Sequence, residues 1–175
     1  MTEAAIPMAD IKAAGKAAVE APLEASVELR DDMGRLVSST WHSRRTGPVD
    51  SGNRWLVAVD GSACSLRAVA MAARLTGVGN KGSVDLVHVQ PWLVKEAAET
   101  QLAVRGLAAT AAARQLLDEA SVAWRLHVVM GEAATQIVAM AELSGTEGLD
   151  ALDGVVIGSR GQSLSKALVM GSVAE

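Results

Sequence analysis

From Arg54 onward the chain alternates short apolar runs with longer stretches of helical period, and that strict alternation constrains the fold more than any other feature. Trp55-Leu56-Val57-Ala58-Val59 is continuously apolar, as a strand covered on both faces requires. It breaks at Asp60-Gly61-Ser62, where Ser62 can cap a helix. Leu66, Val69, Ala70 and Ala73 then recur at helical spacing, and Gly77 supplies a left-handed stop. Val84 to Val89 reads as a second strand, closed by Gln90-Pro91. A long helix over 94–120 follows, with a narrow face of Leu102, Gly106, Ala109, Ala113, Leu116, Leu117 and Ala120. Trp124, Leu126, Val128 and Met130 alternate with Arg125, His127 and Val129, which predicts a half-exposed third strand at a sheet edge. Gly131 and Glu132 open a helix carrying Ala133, Ile137, Met140 and Ala141, which stops near Gly145; the fourth strand starts at Gly154. The order β-α-β-α-β-α-β implies an α/β fold with a parallel sheet and right-handed crossovers.

In such sheets ligands bind beyond the C-terminal strand ends, where the strand order reverses. Two loops lie there, Asp60-Gly61-Ser62 after the first strand and Gly158 to Gly161 after the fourth. The second belongs to the stretch Gly154-Val155-Val156-Ile157-Gly158-Ser159-Arg160-Gly161, which runs on to Gly171-Ser172. A β-branched run that breaks into glycines and helix-starting residues presents backbone amides to a phosphate. Gly77 to Ser83 superficially suggests a P-loop, but Lys81 precedes Gly82 and a strand follows, whereas a P-loop lysine comes directly after the last glycine and opens a helix.

Composition removes several classes of function. Phe and Tyr are absent and four Trp are the only aromatic residues, so platforms for stacking bases are scarce. The net charge of -4 gives no basic field for a polynucleotide, and nucleic acid is not expected. Cys64 is the only cysteine, which leaves no internal disulfide and no thiolate cluster. His88 and His127 fall on neighbouring predicted strands without an obvious carboxylate ligand, a poor metal site. The N-terminus lacks a basic region with an apolar signal core, and no window reaches the roughly 18 apolar residues of a membrane span. A cytoplasmic protein is the expectation.

Residues 1–53 differ from the rest and read as an N-terminal extension and linker, in part disordered or a small hairpin, ahead of a domain over 54–175. Met8 to Ala21 carries only a weak helical stripe, stopped by Pro22. Ser26 to Arg30 and Arg35 to Trp41 flank the turn signal Asp31-Asp32-Met33-Gly34. Ser43 to Asn53 reads as a linker, with His42 a solvated loop residue.

Val57-Ala58-Val59-Asp60-Gly61-Ser62, Val87-His88-Val89 and Gly158-x2-Gly161-x9-Gly171-Ser172 together resemble the universal stress protein domain over 54–175, and the last spacing resembles its ATP-binding branch. The resemblance implies a flavodoxin-like, adenine-nucleotide-binding sheet of order 3-2-1-4, with the usual fifth strand missing. It implies a homodimer that binds ATP, possibly with Mg²⁺, as a stress-response regulator acting as a switch. Carried over by position, Asp60 and Val89 lie against ribose and adenine, while Gly158, Ser159, Arg160, Gly161, Gly171, Ser172 and Val173 surround the phosphates.

Plainer uses of the same residues stay open: Asp60 as a helix cap, Arg160 as a solvated cation, Gly158 and Gly161 as turn glycines. No Gly-x-Ser-x-Gly elbow is present, and the expectation is no efficient enzyme, at most slow ATP hydrolysis. Ser172-Val173-Ala174-Glu175 is a capping box on which the sequence stops. That reads as a C-terminal truncation removing a helix and the fifth strand, and it leaves the fourth strand with an edge that the 34–41 strand could fill. A scaffold or oligomerisation module without nucleotide affinity is the alternative to the ATP-binding reading.

Overall fold

Apolar runs too short for helices bury their backbone polar groups only by pairing with one another, and here six strands do so in one sheet. The computed structural model describes residues 25–44, 53–76, 82–143 and 151–158. In chain order the elements are β1 (Val27–Arg30), β2 (Leu36–His42), β3 (Arg54–Ala58), α1 (Ala63–Leu75), β4 (Ser83–Gln90), α2 (Lys95–Glu119), β5 (Ala123–Met130), α3 (Ala133–Leu143) and β6 (Gly154–Val156). The sheet runs β1-β2-β5-β4-β3-β6.

Its parallel part, β5-β4-β3-β6, keeps the third-second-first-fourth order of the sequence reading. The whole sheet differs from that expectation in being mixed. β2 pairs antiparallel with β5, and β1 pairs antiparallel with β2. The third strand of the alternating region is therefore not at an edge: β5 lies between β2 and β4, and its polar residues face side chains of both neighbours. Nor does the N-terminal hairpin fill the edge beside β6, since it extends the opposite side of the sheet. His42 and Ser43 are not linker. His42 ends β2, and Ser43 is buried, exchanging bonds with Trp124 through its amide (to the carbonyl, 2.9 Å) and its hydroxyl (from the Trp124 N–H, 3.1 Å). The 8–21 helical stripe, the stops at Gly77 and Gly145 and the P-loop-like glycines 77–80 lie outside the described residues.

Helices cover the two faces unequally. α1 buries Ser65, Ala68, Val69 and Ala72, a single stripe at helical spacing. α2 buries Ala98, Leu102, Gly106, Thr110, Ala113 and Leu117. Both stripes pack on one face of the sheet, against Val57, Val84, Leu86, Leu126 and Val128, and the hairpin adds Leu36 and Trp41 to that core. Gly106 permits the approach of α2, because a Cβ there would lie 2.4 Å from Cγ2 of Val128. α3 crosses the other face, where Ile137 packs with Leu56, Val87 and Val129. Two helices on one face and the returning helix on the other put the reversal of strand order at β3, between β4 and β6. No helix among the described residues is long and apolar enough to cross a membrane.

Candidate functional site

The loop after β3 is built by its own side chains. Asp60 accepts the Ser62 amide at 2.9 Å, an Asx turn that swings the chain through Gly61 at φ +81°, a left-handed conformation suited to glycine. Ser62 then caps α1. Its hydroxyl accepts the Ser65 amide at 3.2 Å, and its carbonyl accepts from Ser65 Oγ at 2.9 Å and from the Leu66 amide at 3.0 Å. The loop is fixed from the sheet side as well. His88 on β4 donates from Nδ1 to the Val59 carbonyl at 2.7 Å, which places the proton on that nitrogen in the neutral ring. Burial alone would raise the Asp60 carboxyl, but hydrogen bonds from the Ser62 side chain and amide and from Ser65 outweigh it and hold the group below the usual carboxylate range. Asp60 is thus both a turn former and an exposed anion beside a helix start.

β6 brings the second loop to the same place. It pairs with β3 through Trp55↔Gly154, Leu56↔Val155 and Val57↔Val156, and two residues further on Gly158 rests on the first turn of α1. A Cβ at Gly158 would lie 2.8 Å from both the carbonyl carbon and oxygen of Cys64 and 3.0 Å from the Ser65 amide nitrogen, all of them backbone atoms rather than the end of a flexible side chain. Gly158 of the second loop thus lies against the first turn of the helix that the first loop caps, at the strand-order reversal. Val89, on the α3 face of β4, packs against the Leu56, Val87, Val129 and Ile137 cluster and supplies an apolar wall near the strand end. Ser159, Arg160, Gly161, Gly171, Ser172 and Val173 lie outside the described residues.

Three helix starts share this rim; that of α2 has no side-chain cap and carries Glu96 in its first turn, while those of α1 and α3 differ in what they can still accept. α3 already holds an anion: the Glu132 carboxylate accepts the Ala134 amide at 3.0 Å, the Thr135 amide at 2.7 Å and the Thr135 hydroxyl at 2.7 Å, and these bonds hold it below its ordinary range. α1 has a neutral serine cap and no acidic residue in its first turn. Its Ala63 and Cys64 amides lack acceptors within the helix, and the nearby Asp60 carboxylate accepts from the Ser62 amide.

A second polar constellation escaped the sequence reading. Asp85 on β4 is only 3 % exposed, which a carboxylate tolerates only when paired. Arg54 grips one oxygen with Nε and Nη2, each at 2.6 Å; Arg125 Nε stands 3.8 Å and His127 Nε2 3.7 Å from the other. His127 in turn meets Thr40 of β2 at 3.3 Å, so one imidazole links three strands. Burial would raise the Asp85 carboxyl, but its interaction with His127 and the charges of Arg54, His127 and Arg125 win and hold it low. The signal in the sequence was a lone aspartate inside an apolar strand. His88 and His127 stand on adjacent strands yet face opposite sides of the sheet, His88 toward Val59 and His127 toward Asp85.

A family model described as the universal stress protein family matches residues 53–175. Among solved structures, the crystal structure of protein Rv1636 from Mycobacterium tuberculosis H37Rv is similar to this chain, with a TM-score of 0.40 and 21 % identity, covering 71 % of this chain and 84 % of that one. No curated protein matches.

Proposed function

The chain belongs to the universal stress protein family, and from that premise we propose that it is a stress-response regulator that binds ATP where the β3 and β6 loops meet. The observation that carries the reading is the backbone contact of Gly158 with Cys64 and Ser65, which leaves no room for a side chain between the β6 loop and the start of α1. The donor set fits a phosphate chain: a helix start with a neutral cap, flanked by a glycine that allows close approach. Asp60 is held ionised by the Ser62 and Ser65 bonds and can accept ribose hydroxyls; Val89 offers an apolar surface to adenine. Ser159, Arg160, Gly161, Gly171, Ser172 and Val173 complete the phosphate site in this proposal, with Arg160 placing a guanidinium on the phosphates and Mg²⁺ arriving as their counterion.

The proposed role is that of a switch, with turnover slow or absent, and a second copy is the expected protein partner. Calorimetry with ATP and Mg²⁺ at micromolar to millimolar concentration tests the binding. Heat that saturates with ATP and fails to saturate with an uncharged nucleoside supports it; no heat with either ligand overturns it. A phosphate-release assay tests the switch, and sustained multiple turnover would reassign the protein as a nucleotide hydrolase.

A further inference from the structure

Among the described residues the sheet has two outer strands, and β1 presents the more unusual edge. All four of its residues, Val27, Glu28, Leu29 and Arg30, are exposed, with Val27 at 50 % and Leu29 at 57 %. Among the described residues it has a strand on one side only, β2. An open edge of this kind exposes unpaired backbone donors and acceptors, which proteins blunt with short strands, charged side chains or bulges. β1 is four residues long, its register with β2 shifts between Leu29 and Arg30, and its charges are one acid and one base flanking a leucine. Arg30 and Glu28 lie on the face toward α2, where Arg30 bonds Glu99 and reaches Glu28 at 3.4 Å; Val27 and Leu29 lie on the other face, opposite Thr40 and Ser38.

This pattern is complementary to itself in a single antiparallel register. A two-fold axis through Leu29 sets Leu29 against Leu29 of a second copy and Glu28 against Arg30 on both sides, because directly opposed residues of an antiparallel pair share a face. The diagonal neighbours are then Val27 and Leu29, giving four apolar side chains on one face and two crossed ion pairs on the other. Shifting by one residue toward Glu28 opposes two glutamates at the axis, and placing the axis between Glu28 and Leu29 opposes charge to apolar side chain. An axis between Leu29 and Arg30 sets Glu28 against Asp31. The Leu29-centred register sets Val27 opposite Asp31 at the turn, and of these registers it alone pairs opposite charges while it groups the four apolar side chains.

We propose that β1 is a self-association edge, at which two copies of this chain pair β1 antiparallel about Leu29 and join their sheets into one. This names the partner and interface for the homo-oligomer expected above, and it is independent of nucleotide binding, which uses the opposite part of the sheet.

The test is sedimentation of the full chain from about 1 to several hundred micromolar, with circular dichroism to confirm folding. Glu28→Arg makes the opposed pairs all basic, and Arg30→Glu makes them all acidic. Each variant alone is expected to dimerise about tenfold more weakly or worse, since each replaces two favourable pairs with two repulsive ones. An equimolar mixture of the two is expected to recover association, because the basic edge of one then faces the acidic edge of the other. Leu29→Lys, which puts like charges on the axis, is expected to abolish pairing and serves as an independent variant should Arg30→Glu lose its fold with the Glu99 contact. A wild-type chain that stays monomeric throughout, single variants that dimerise as well as wild type, or a folded mixture no better associated than its components would each overturn the proposal. Calorimetry with ATP on the same samples reads the nucleotide site separately.

Discussion

Gly158 carries more of the site than its missing side chain suggests, because the α1 backbone occupies the place where a Cβ would stand, 2.8 Å from Cys64 C and O. Gly158→Ala is expected to push the β6 loop off α1, to destabilise the chain by about 1–3 kcal/mol as an overpacked contact does, and to weaken ATP binding at least tenfold. Thermal unfolding and calorimetry read the two effects separately. Asp85 makes a different contribution, to stability. Asp85→Ala removes the carboxylate that the Arg54 guanidinium, 11 % exposed, grips, and is expected to cost about 3 kcal/mol, measured by urea unfolding at neutral pH. The sign of its pH dependence follows from the lowered carboxyl. Its contribution is fully present above the unfolded value near pH 4 and is lost as pH falls through the lower folded value. Wild type therefore loses stability in acid below about pH 4 more steeply than Asp85→Ala; parallel acid profiles for the two would contradict the assignment.

At the scale of elements, α2 and the hairpin decide how the sheet is closed. Gly106 lets α2 sit within van der Waals reach of Val128, so Gly106→Val, which adds bulk where a Cβ alone would meet Val128 at 2.4 Å, is expected to cost at least the 1–3 kcal/mol or so of ordinary overpacking in chemical denaturation. The hairpin joins β5 through Thr40↔His127 and His42↔Arg125. His42 is held below its usual pKa by desolvation, then by the charges of Arg125 and His127, with Asp85 opposing. Neutral His42 is thus the form the fold prefers: its contribution is present above the unfolded value of about 6.5 and declines as pH falls through it. Amide exchange in β2 is expected to quicken between about pH 7 and 5, once intrinsic rates are allowed for, and His42→Ala is expected to flatten that response. The parallel strands and all three helices were legible because periodicity and caps report local burial directly. The place of the hairpin was not. Polar Ser38, Thr40, Arg125 and His127 read as solvent-facing on each strand taken alone, and only their pairing with one another and with Asp85 makes β5 an inner strand.

As a whole, the molecule is a mixed sheet whose parallel strands are completed on one side by the chain's own N-terminal hairpin. Leu36 at 3 % and Trp41 at 2 % exposure belong to the main core, so residues 1–50 are expected to be inseparable from the fold. Their deletion is expected to remove several kcal/mol, by the scale of losing a buried tryptophan, whereas unchanged thermal stability would show the hairpin to be an appendage. Of the site itself, the sequence pointed to Asp60, Val89 and Gly158 through motif order, and the fold gives Gly158 a physical reason, contact with the α1 backbone. It could not show that Glu132 fills the α3 start while α1 keeps a neutral serine cap, since a glutamate beside a helix start reads alike whether it caps or faces solvent. The central claim, that ATP binds where the β3 and β6 loops meet, is tested most directly by calorimetry of the full chain and of Gly158→Ala with ATP and Mg²⁺. Saturable binding by the wild type that weakens at least tenfold in the variant, with the variant still folded, is the predicted result; no binding by the wild type at millimolar ATP, or equal binding by both, would contradict it.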